Sequence, residues 1–149
     1  MALQFDGNGQ VEIPVWTSGT GAWSIRLPSV EHSGTGILIG NNFDNSNFLA
    51  FVNADLRFRI AGSDFQYSGS FVDGQSYDIE FGYDGVNRFI TVDGSKQTSS
   101  ASTVNVPFDR IGSYNSGALK YDALMDGVIA FRGGTQDRDY NTTTSSGTT

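Results

Sequence analysis

Residues 77–95, YDIEFGYDGVNRFITVDGS, have the clearest β pattern in the chain. Large apolar or aromatic residues alternate with polar ones at its start: Tyr77, Ile79, Phe81 and Tyr83. A two-residue period places one set of side chains on the buried face of a strand and the other set in water. The Asp-Gly pairs at 84–85 and 93–94 favour turns, and the segment FITV at 89–92 is β-branched and aromatic. The whole stretch therefore predicts an antiparallel meander.

The same pattern, short segments of alternating apolar and polar residues separated by Gly, Asn, Asp or Ser turns, recurs along most of the chain. It predicts about a dozen strands, at 2–6, 10–15, 22–28, 35–40, 48–53, 55–60, 64–72, 77–83, 88–92, 95–98, 109–114, 118–122 and 125–132. Because so many short strands do not suit one open sheet, the predicted fold is all-β, a two-sheet antiparallel β-sandwich over residues 1–132. Residues 133–149, GGTQDRDYNTTTSSGTT, are poor in apolar side chains and predict a C-terminal arm or linker.

Composition narrows the classes of function. The 149 residues include no cysteine, which excludes thiolate metal sites and thiol catalysis and removes any need for an oxidising compartment. The net charge of −7 disfavours nucleic acid and anionic membranes as partners, because both attract a cationic face. Met1 is followed by ALQFDG, which has no feature of a secretion signal, and no apolar run reaches membrane-spanning length.

Three segments carry the pattern of a known group of folds. ALQFDGNGQVEIP (2–14), YDIEFGYDG with RFITVDG (77–94) and IGSYNSGALKYDALMDGVIAF (111–131) resemble the opening pair, a hairpin and the closing strands of concanavalin A-like jelly rolls of the laminin-G type. The resemblance spans residues 2–132 and implies a laminin-G-like jelly roll. It leaves the function open, because lectins, glycanases and adhesion modules share this fold.

One departure from that group concerns catalysis. Its glycanases have a Glu-x-Asp-x-Glu strand that supplies nucleophile and acid, whereas the glutamates of this chain are widely spaced: Glu12, Glu31 and Glu80. Asp78 and Glu80 share one strand face, as the carboxyl pair of a retaining glycosidase could. Alternating acids beside an apolar stripe are, however, typical of a solvated strand, so we predict no catalytic residue.

A second departure concerns metal. Many relatives close with a strand resembling FDGxIDEV, whose acids lie near a structural calcium, whereas this chain has MDGVIAF at 125–131 with Ala130 and Phe131 in their place. Calcium takes several oxygen ligands, and this strand offers only Asp126 and backbone, so Asp126 is expected to cap its own turn. We predict no cofactor and no metal site here, and a structural calcium at another loop stays an open alternative.

The loop GNNFDNSNF at 40–48 is the candidate ligand site. Its amides, carboxylate and central ring could bind vicinal sugar hydroxyls and stack on a sugar face, and the candidates are Asn41, Asn42, Phe43, Asp44 and Asn47. The competing interpretation is a hairpin loop, because Asn and Asp tolerate left-handed backbone.

The remaining distinctive residues favour structural roles. His32 is the single histidine and has no partner in the sequence for catalysis or metal binding, so a surface loop position is expected. Trp16 and Trp23 are expected in the core. Arg57 and Arg59 point outward from one strand and could pair with a neighbouring strand or a partner.

The sequence thus favours a non-catalytic module that binds or adheres through its surface. With no cysteine and with a C-terminal arm, the chain resembles small sandwich proteins of phage virions. Those proteins serve as capsid decoration or fibre components and assemble in the host cytoplasm. Its expected partners are other virion proteins or further copies of itself, and possible glycans, with arm residues Arg138, Asp139 and Tyr140 as contacts. The alternatives are a carbohydrate-binding module of a larger secreted bacterial protein and, disfavoured by the missing acid pair, a glycan hydrolase.

Overall fold

The computed structural model describes residues 3–4, 11–41, 45–101, 105–113 and 124–140. These residues contain no helix and form fourteen strands. The strands are β1 (Leu3–Gln4), β2 (Val11–Thr17), β3 (Trp23–Glu31), β4 (Gly36–Gly40), β5 (Phe48–Val52), β6 (Asp55–Ile60), β7 (Ser63–Tyr67), β8 (Ser76–Tyr83), β9 (Arg88–Val92), β10 (Ser95–Ser99), β11 (Pro107–Ile111), β12 (Leu124–Asp126), β13 (Val128–Arg132) and β14 (Thr135–Tyr140).

The strands pair into two antiparallel sheets. The first sheet has the order β1-β12-β3-β8-β9-β10, and β13 pairs with β3 beside β12 and carries β14 on its other edge. The second sheet has the order β2-β11-β4-β5-β6-β7. This architecture confirms the predicted all-β, two-sheet sandwich.

The core between the sheets is built largely from aromatic rings in edge-to-face contact. Trp23 meets Phe58 and Phe81 with ring centroids 5.9 Å apart in both pairs. Trp16 meets Trp23 at 5.8 Å and stacks on Phe108 at 6.5 Å. Such pairs add about 0.5–1.5 kcal/mol each beyond the burial of their area. Both tryptophans are almost fully buried, which confirms their prediction as core residues.

The meander predicted at 77–95 is present as β8, β9 and β10, each pairing antiparallel with the next. Asp93 and Gly94 have φ of 48° and 87°, so the β9–β10 turn uses two left-handed residues, a conformation that aspartate and glycine tolerate. Ile79 and Phe81 are fully buried in the core. Because side chains alternate along a strand, Asp78 and Glu80 lie on the outer face of the first sheet.

Residues 133–140 differ from the sequence prediction of an arm or linker. Gly133 and Gly134, with φ of 58° and 81°, turn the chain so that β14 pairs with β13 along its length. The sheet therefore continues past the predicted boundary at residue 132. TQDRDY lacks an apolar alternation because it is an edge strand, held by backbone pairing and by side chains on one face. Residues 141–149 and the strand predicted at 118–122 lie outside the described residues.

His32 also differs from the prediction, because it is buried rather than on a surface loop, with only 3% of its surface exposed. Its Nε2 lies 2.6 Å from the Asn53 carbonyl oxygen, and its Nδ1 lies 2.8 Å from an Asp73 carboxylate oxygen, poorly aligned for a hydrogen bond. The ring packs edge-on against Phe51 at 4.6 Å. His32 therefore joins the end of β3 to the β5–β6 turn as a structural residue.

Candidate functional site

The outer face of the first sheet carries a shallow groove across β3, β8, β9 and β13. Two adjoining depressions of about 220 and 250 Å³ share Glu80 and Thr91 as walls and so form one continuous surface. Strand alternation brings to this face the polar residues between the buried ones. We call it the polar groove, and its principal side chains are Ser24, Arg26, Asp78, Glu80, Phe89, Thr91, Lys96 and Phe131.

Two carboxylates of the groove, Asp78 and Glu80, accept hydrogen bonds from side chains of β3. Arg26 holds Asp78 at two points, with Nη2–Oδ2 at 2.7 Å and Nε–Oδ1 at 3.2 Å. This hydrogen bonding and the Asp78 charge raise the pKa of Arg26 above its ordinary value. The Ser24 hydroxyl donates to Glu80 Oε2 at 3.1 Å. A two-point guanidinium–carboxylate pair fixes the orientation of both groups before any ligand arrives.

At the other end of the groove, β10 supplies a cation above an aromatic ring. Lys96 Nζ lies 4.7 Å from the Phe89 ring centroid and 3.0 Å from Asp84 Oδ2. Asp84 also accepts hydrogen bonds from the backbone N–H groups of Asn87 and Val86, at 2.9 Å each. These two backbone bonds and the Lys96 bond lower the pKa of Asp84 to about 2.

The strands β3 and β8, which carry much of the groove, approach each other closely at Gly82. A Cβ atom added to Gly82 would lie 2.1 Å from the Trp23 carbonyl oxygen, a distance at which the backbone would have to move. Glycine at position 82 therefore permits the close approach of the two strands. Phe131 of β13, partly exposed, forms an aromatic wall beside Arg26 and Asp78.

The arrangement offers hydrogen-bonding groups held on neighbouring strands. Glycoside hydrolysis needs one carboxyl group that gives a proton and a second that attacks or activates water. Here Asp78 is bound to a guanidinium, and Glu80 accepts a hydroxyl hydrogen. Within the described ranges, no three His, Cys, Asp or Glu side chains form a group that could hold a metal ion.

The loop predicted to bind ligand lies elsewhere, on the second sheet. Asn41 is 1% exposed, and its Nδ2 donates to the Pro107 carbonyl at 3.4 Å, so its amide is not presented at the surface. Asn47 accepts the Ala61 N–H at 3.0 Å and thereby caps the β6–β7 turn. Both roles match the hairpin-loop interpretation of these residues. Asn42, Phe43 and Asp44 lie outside the described residues, and their role in binding stays a prediction.

The predicted contact residues of the arm lie on β14. Arg138 and Tyr140 line a cleft of about 210 Å³ against Pro14, Val15 and Trp16 of β2. Asp139 is exposed and pairs in register with Ile129. Their role as partner contacts stays a prediction.

Sequence reasoning missed most of the polar groove. It singled out Asp78 and Glu80, but not Ser24, Arg26, Thr91 or Lys96. Arg26 and Asp78 are 52 residues apart, and only strand pairing brings them together. The one indication in the sequence was the alternation of polar and apolar residues in the predicted strand 22–28, which places Ser24 and Arg26 on one face.

Comparison with solved structures places the sandwich among known folds. Over 95% of its length, the chain matches domains LG4-5 of the mouse laminin α1 chain, with a TM-score of 0.62 and 16% sequence identity. This chain has a laminin-G-like jelly-roll fold. The laminin-G-type resemblance inferred from the sequence is thereby confirmed for the fold. The matched region covers 44% of the laminin chain.

No protein-family model matches the sequence, and no curated protein matches it. Across the part of the chain that the structure describes, no helix has the length and apolar character to cross a membrane.

Proposed function

We propose that this chain is a non-catalytic binding module and that the polar groove is its binding surface. The observation that carries the proposal is the paired Arg26–Asp78 unit, fixed on two neighbouring strands beside an aromatic ring. Binding sites gain affinity when their polar groups are already held in the bound geometry, because less ordering accompanies association. Strands hold such groups more rigidly than loops do.

The ligand class that best fits this surface is a neutral, hydroxyl-rich chain such as a glycan. Donors and acceptors alternate across the groove, with Arg26 and Lys96 as donors and Glu80 as an acceptor. Each sugar hydroxyl is both donor and acceptor and can complete such a pattern. Phe131 offers an apolar surface for the sugar ring. Because the depressions are shallow and continuous, they suit a chain lying along the sheet more than a small molecule enclosed in a pocket.

A glycan array followed by affinity electrophoresis in the best-binding polysaccharide tests this proposal. We expect Glu80→Gln to weaken binding by about tenfold or more, since a hydrogen bond to a charged group contributes about 1.5–3 kcal/mol. Phe131→Ala should weaken it to a similar extent, because it removes the apolar surface for the sugar ring. The matched control is Glu31→Gln, at the end of the same sheet's β3 and outside the groove. A variant of Asn42, Phe43 and Asp44 to alanine tests the loop prediction in the same gel.

The outcomes separate the two sites. Binding lost in the groove variants and kept in the loop variant supports the proposal. Binding lost only in the loop variant transfers the site to the 40–48 loop. If no polysaccharide in the gel retards the protein, the glycan assignment is overturned. Release of reducing sugar that disappears in Glu80→Gln would instead establish the glycan hydrolase.

For its setting we propose the surface of a phage virion, with a secreted carbohydrate-binding module as the alternative. A sandwich without cysteine needs no oxidising compartment for folding, which is compatible with the reducing host cytoplasm where such particles assemble. Purified particles should retain the protein through gradient centrifugation, and deletion of residues 141–149 together with Arg138→Ala should reduce its occupancy. Absence of the protein from particles would favour the secreted module.

A further inference from the structure

We propose that the open edge of β14 is a docking site for an extended peptide segment of a partner protein, with an acidic residue and an apolar residue two positions apart. The site is distinct from the polar groove and does not depend on the function assigned to it. Its components are the edge of β14 that faces away from β13, the side chains of Arg138, Asp139 and Tyr140, and the cleft against β2.

The backbone of β14 is available for strand addition. Among the described strands, β14 pairs only with β13, and no other described strand lies along its second edge. An exposed edge presents a row of N–H and C=O groups that an incoming strand can bind. Across the cleft, β11 is the one described strand that pairs with β2, so within the described part of the chain both strands that border the cleft end their sheets.

The register of β14 determines which side chains an added strand would meet. Tyr140 and Arg138 pair with Val128 and Ala130, which are both fully buried, so these two side chains share the face toward the second sheet. Asp139 pairs with Ile129 and has the opposite face. An added strand alternates in the same way, so its residues i and i+2 would lie beside Arg138 and Tyr140, and residue i+1 beside Asp139.

The two arginines near this edge, Arg132 and Arg138, differ in how many of their hydrogen-bond donors are already used. Arg132 is fully engaged, because it donates to the Thr17 carbonyl, pairs with Asp137 at 3.0 Å and covers the Trp16 ring at 5.0 Å. Arg138 is 59% exposed, and its contacts are the carbonyl of Asp137 at 2.9 Å and the carboxylate of Asp137 at 3.9 Å. Its guanidinium therefore retains donors for an acidic side chain.

The apolar side of the cleft is formed by an irregularity in β2. The register between β2 and β11 shifts between Phe108 and Arg110, so the β2 residues opposite this point are pushed out of the ladder. Val15 is consequently 51% exposed, and with Pro14 and Tyr140 it forms a wall of the cleft. Burial raises the pKa of the Tyr140 hydroxyl above its ordinary value. This wall suits an aliphatic side chain.

In a strand added parallel to β14, these contacts specify a pattern of acidic, then basic or polar, then apolar residues from the N-terminal to the C-terminal end. The acidic residue pairs with Arg138, the basic one with Asp139, and the apolar one packs on Tyr140 and Val15. Charges on an edge strand deter indiscriminate pairing, and the same charges select a partner with the complementary order.

Two fluorescein-labelled, blocked eight-residue peptides test the proposal on the full chain. Both are built on alternating Thr and Val; one has Glu-Lys-Val at its centre, and the other has Lys-Glu-Val, with the same composition and charge. Fluorescence polarisation should show the first peptide binding about tenfold more tightly, since charge complementarity sets the register. Backbone hydrogen exchange should slow at Thr135–Tyr140 on binding.

Variants then assign the contacts. Arg138→Glu should reverse the preference between the two peptides, and Val15→Asp should weaken both. Arg57→Glu on β6 of the second sheet, outside the cleft and the polar groove, makes the same change in net charge and should leave the preference unchanged. Equal affinity for the two peptides, no binding up to about 1 mM, or a preference that survives Arg138→Glu would each overturn the proposal. Slow exchange of β14 in the free protein, together with dimers in sedimentation, would overturn it in favour of a second copy of the chain.

Discussion

The two sides of the sandwich, where the edges of the sheets meet, are joined by different chemistry. On one side, β7 and β10 are linked by neutral hydrogen bonds. Gln97 accepts from the Ser68 N–H at 2.8 Å and donates to the Ser68 carbonyl at 3.0 Å, and the Tyr67 hydroxyl donates to the Ser95 carbonyl at 3.1 Å. One amide thus satisfies both backbone groups of Ser68, as a paired strand would.

On the opposite side, β2 and β14 are linked by ionic and aromatic contacts. Asp137 accepts from Trp16 Nε1 at 2.8 Å and pairs with Arg132, which in turn donates to the Thr17 carbonyl. These contacts are concentrated at one end and leave the cleft beside Arg138 and Tyr140. The comparison teaches that backbone-satisfying amides close an edge, whereas ion pairs fix its position and leave hydrogen-bonding groups for a partner.

The largest effect is expected from Arg88→Ala, behind the β7/β10 side. Arg88 of β9 is 4% exposed and donates to the carbonyls of Ser63 and Asp64 at 2.5 and 3.0 Å. Its loss should lower the free energy of unfolding by about 3 kcal/mol, because buried acceptors lose a charged donor. Denaturant unfolding measures the change. Arg57→Ala, which removes a partly exposed ion pair at 3.7 Å, should cost about 0.5 kcal/mol or less. Equal costs would contradict this account.

Asp137→Ala should have the next largest effect, on the β2/β14 side. It leaves the buried Trp16 N–H unpaired and removes the Arg132 ion pair, so we expect a loss of about 2 kcal/mol. Asp139→Ala, two residues along the same strand, should change stability by less than about 0.5 kcal/mol. Thermal unfolding of both variants measures the difference. A smaller cost for Asp137→Ala than for Asp139→Ala would show that this side is not held by Asp137.

Gln97→Ala should cost about 1 kcal/mol, because its two hydrogen bonds with Ser68 are exposed to water. Exchange of the Ser68 amide hydrogen should speed up in this variant. Gln136→Ala, an exposed glutamine on β14, is the matched control and should be neutral within about 0.5 kcal/mol. An unchanged Ser68 exchange rate would disprove the role of Gln97 as a substitute strand.

The smallest effect is a pH dependence set by Asp84, which anchors Lys96 of β10. The folded-state pKa of Asp84, about 2, lies below its ordinary value of 3.8, so its contribution to stability is present above 3.8 and is lost as the pH falls through about 2. The stability difference between wild type and Asp84→Asn should therefore be greatest near neutral pH, shrink as the pH falls below 3.8 and reach its minimum below about pH 2. The cost of Gln97→Ala should not change between pH 4 and pH 8. A constant difference for Asp84→Asn would contradict this account.

The sequence predicted some elements of the fold well and others poorly. It predicted the meander at 77–95 and the core positions of Trp16 and Trp23, because alternation and Asp-Gly turns act within a few residues. It placed His32 on the surface, since a polar residue in a Ser/Gly-rich segment gives no sign of the Asn53 carbonyl that it contacts 21 residues away. It also missed β14, because an edge strand needs no apolar alternation.

The candidate site shows the same limit. The parity of β8 put Asp78 and Glu80 on one face, and the parity of β3 did so for Ser24 and Arg26. The alternation of side chains along each strand gives no information on whether β3 lies next to β8. The ion pair of Arg26 with Asp78 therefore could not be predicted from the sequence. The Asn-rich loop at 40–48 drew attention through its composition, although Asn41 and Asn47 serve the fold.

By itself, the sequence determined that this chain forms short antiparallel strands with one aromatic face and assembles into a sandwich. The reason is local: side-chain period and turn residues act over distances of two to four positions. Only the tertiary structure decided which outer faces adjoin, which edges are closed and where a partner could dock. Those outcomes depend on pairing between strands distant in sequence, and that pairing places the polar groove on one sheet and the open cleft between β2 and β14.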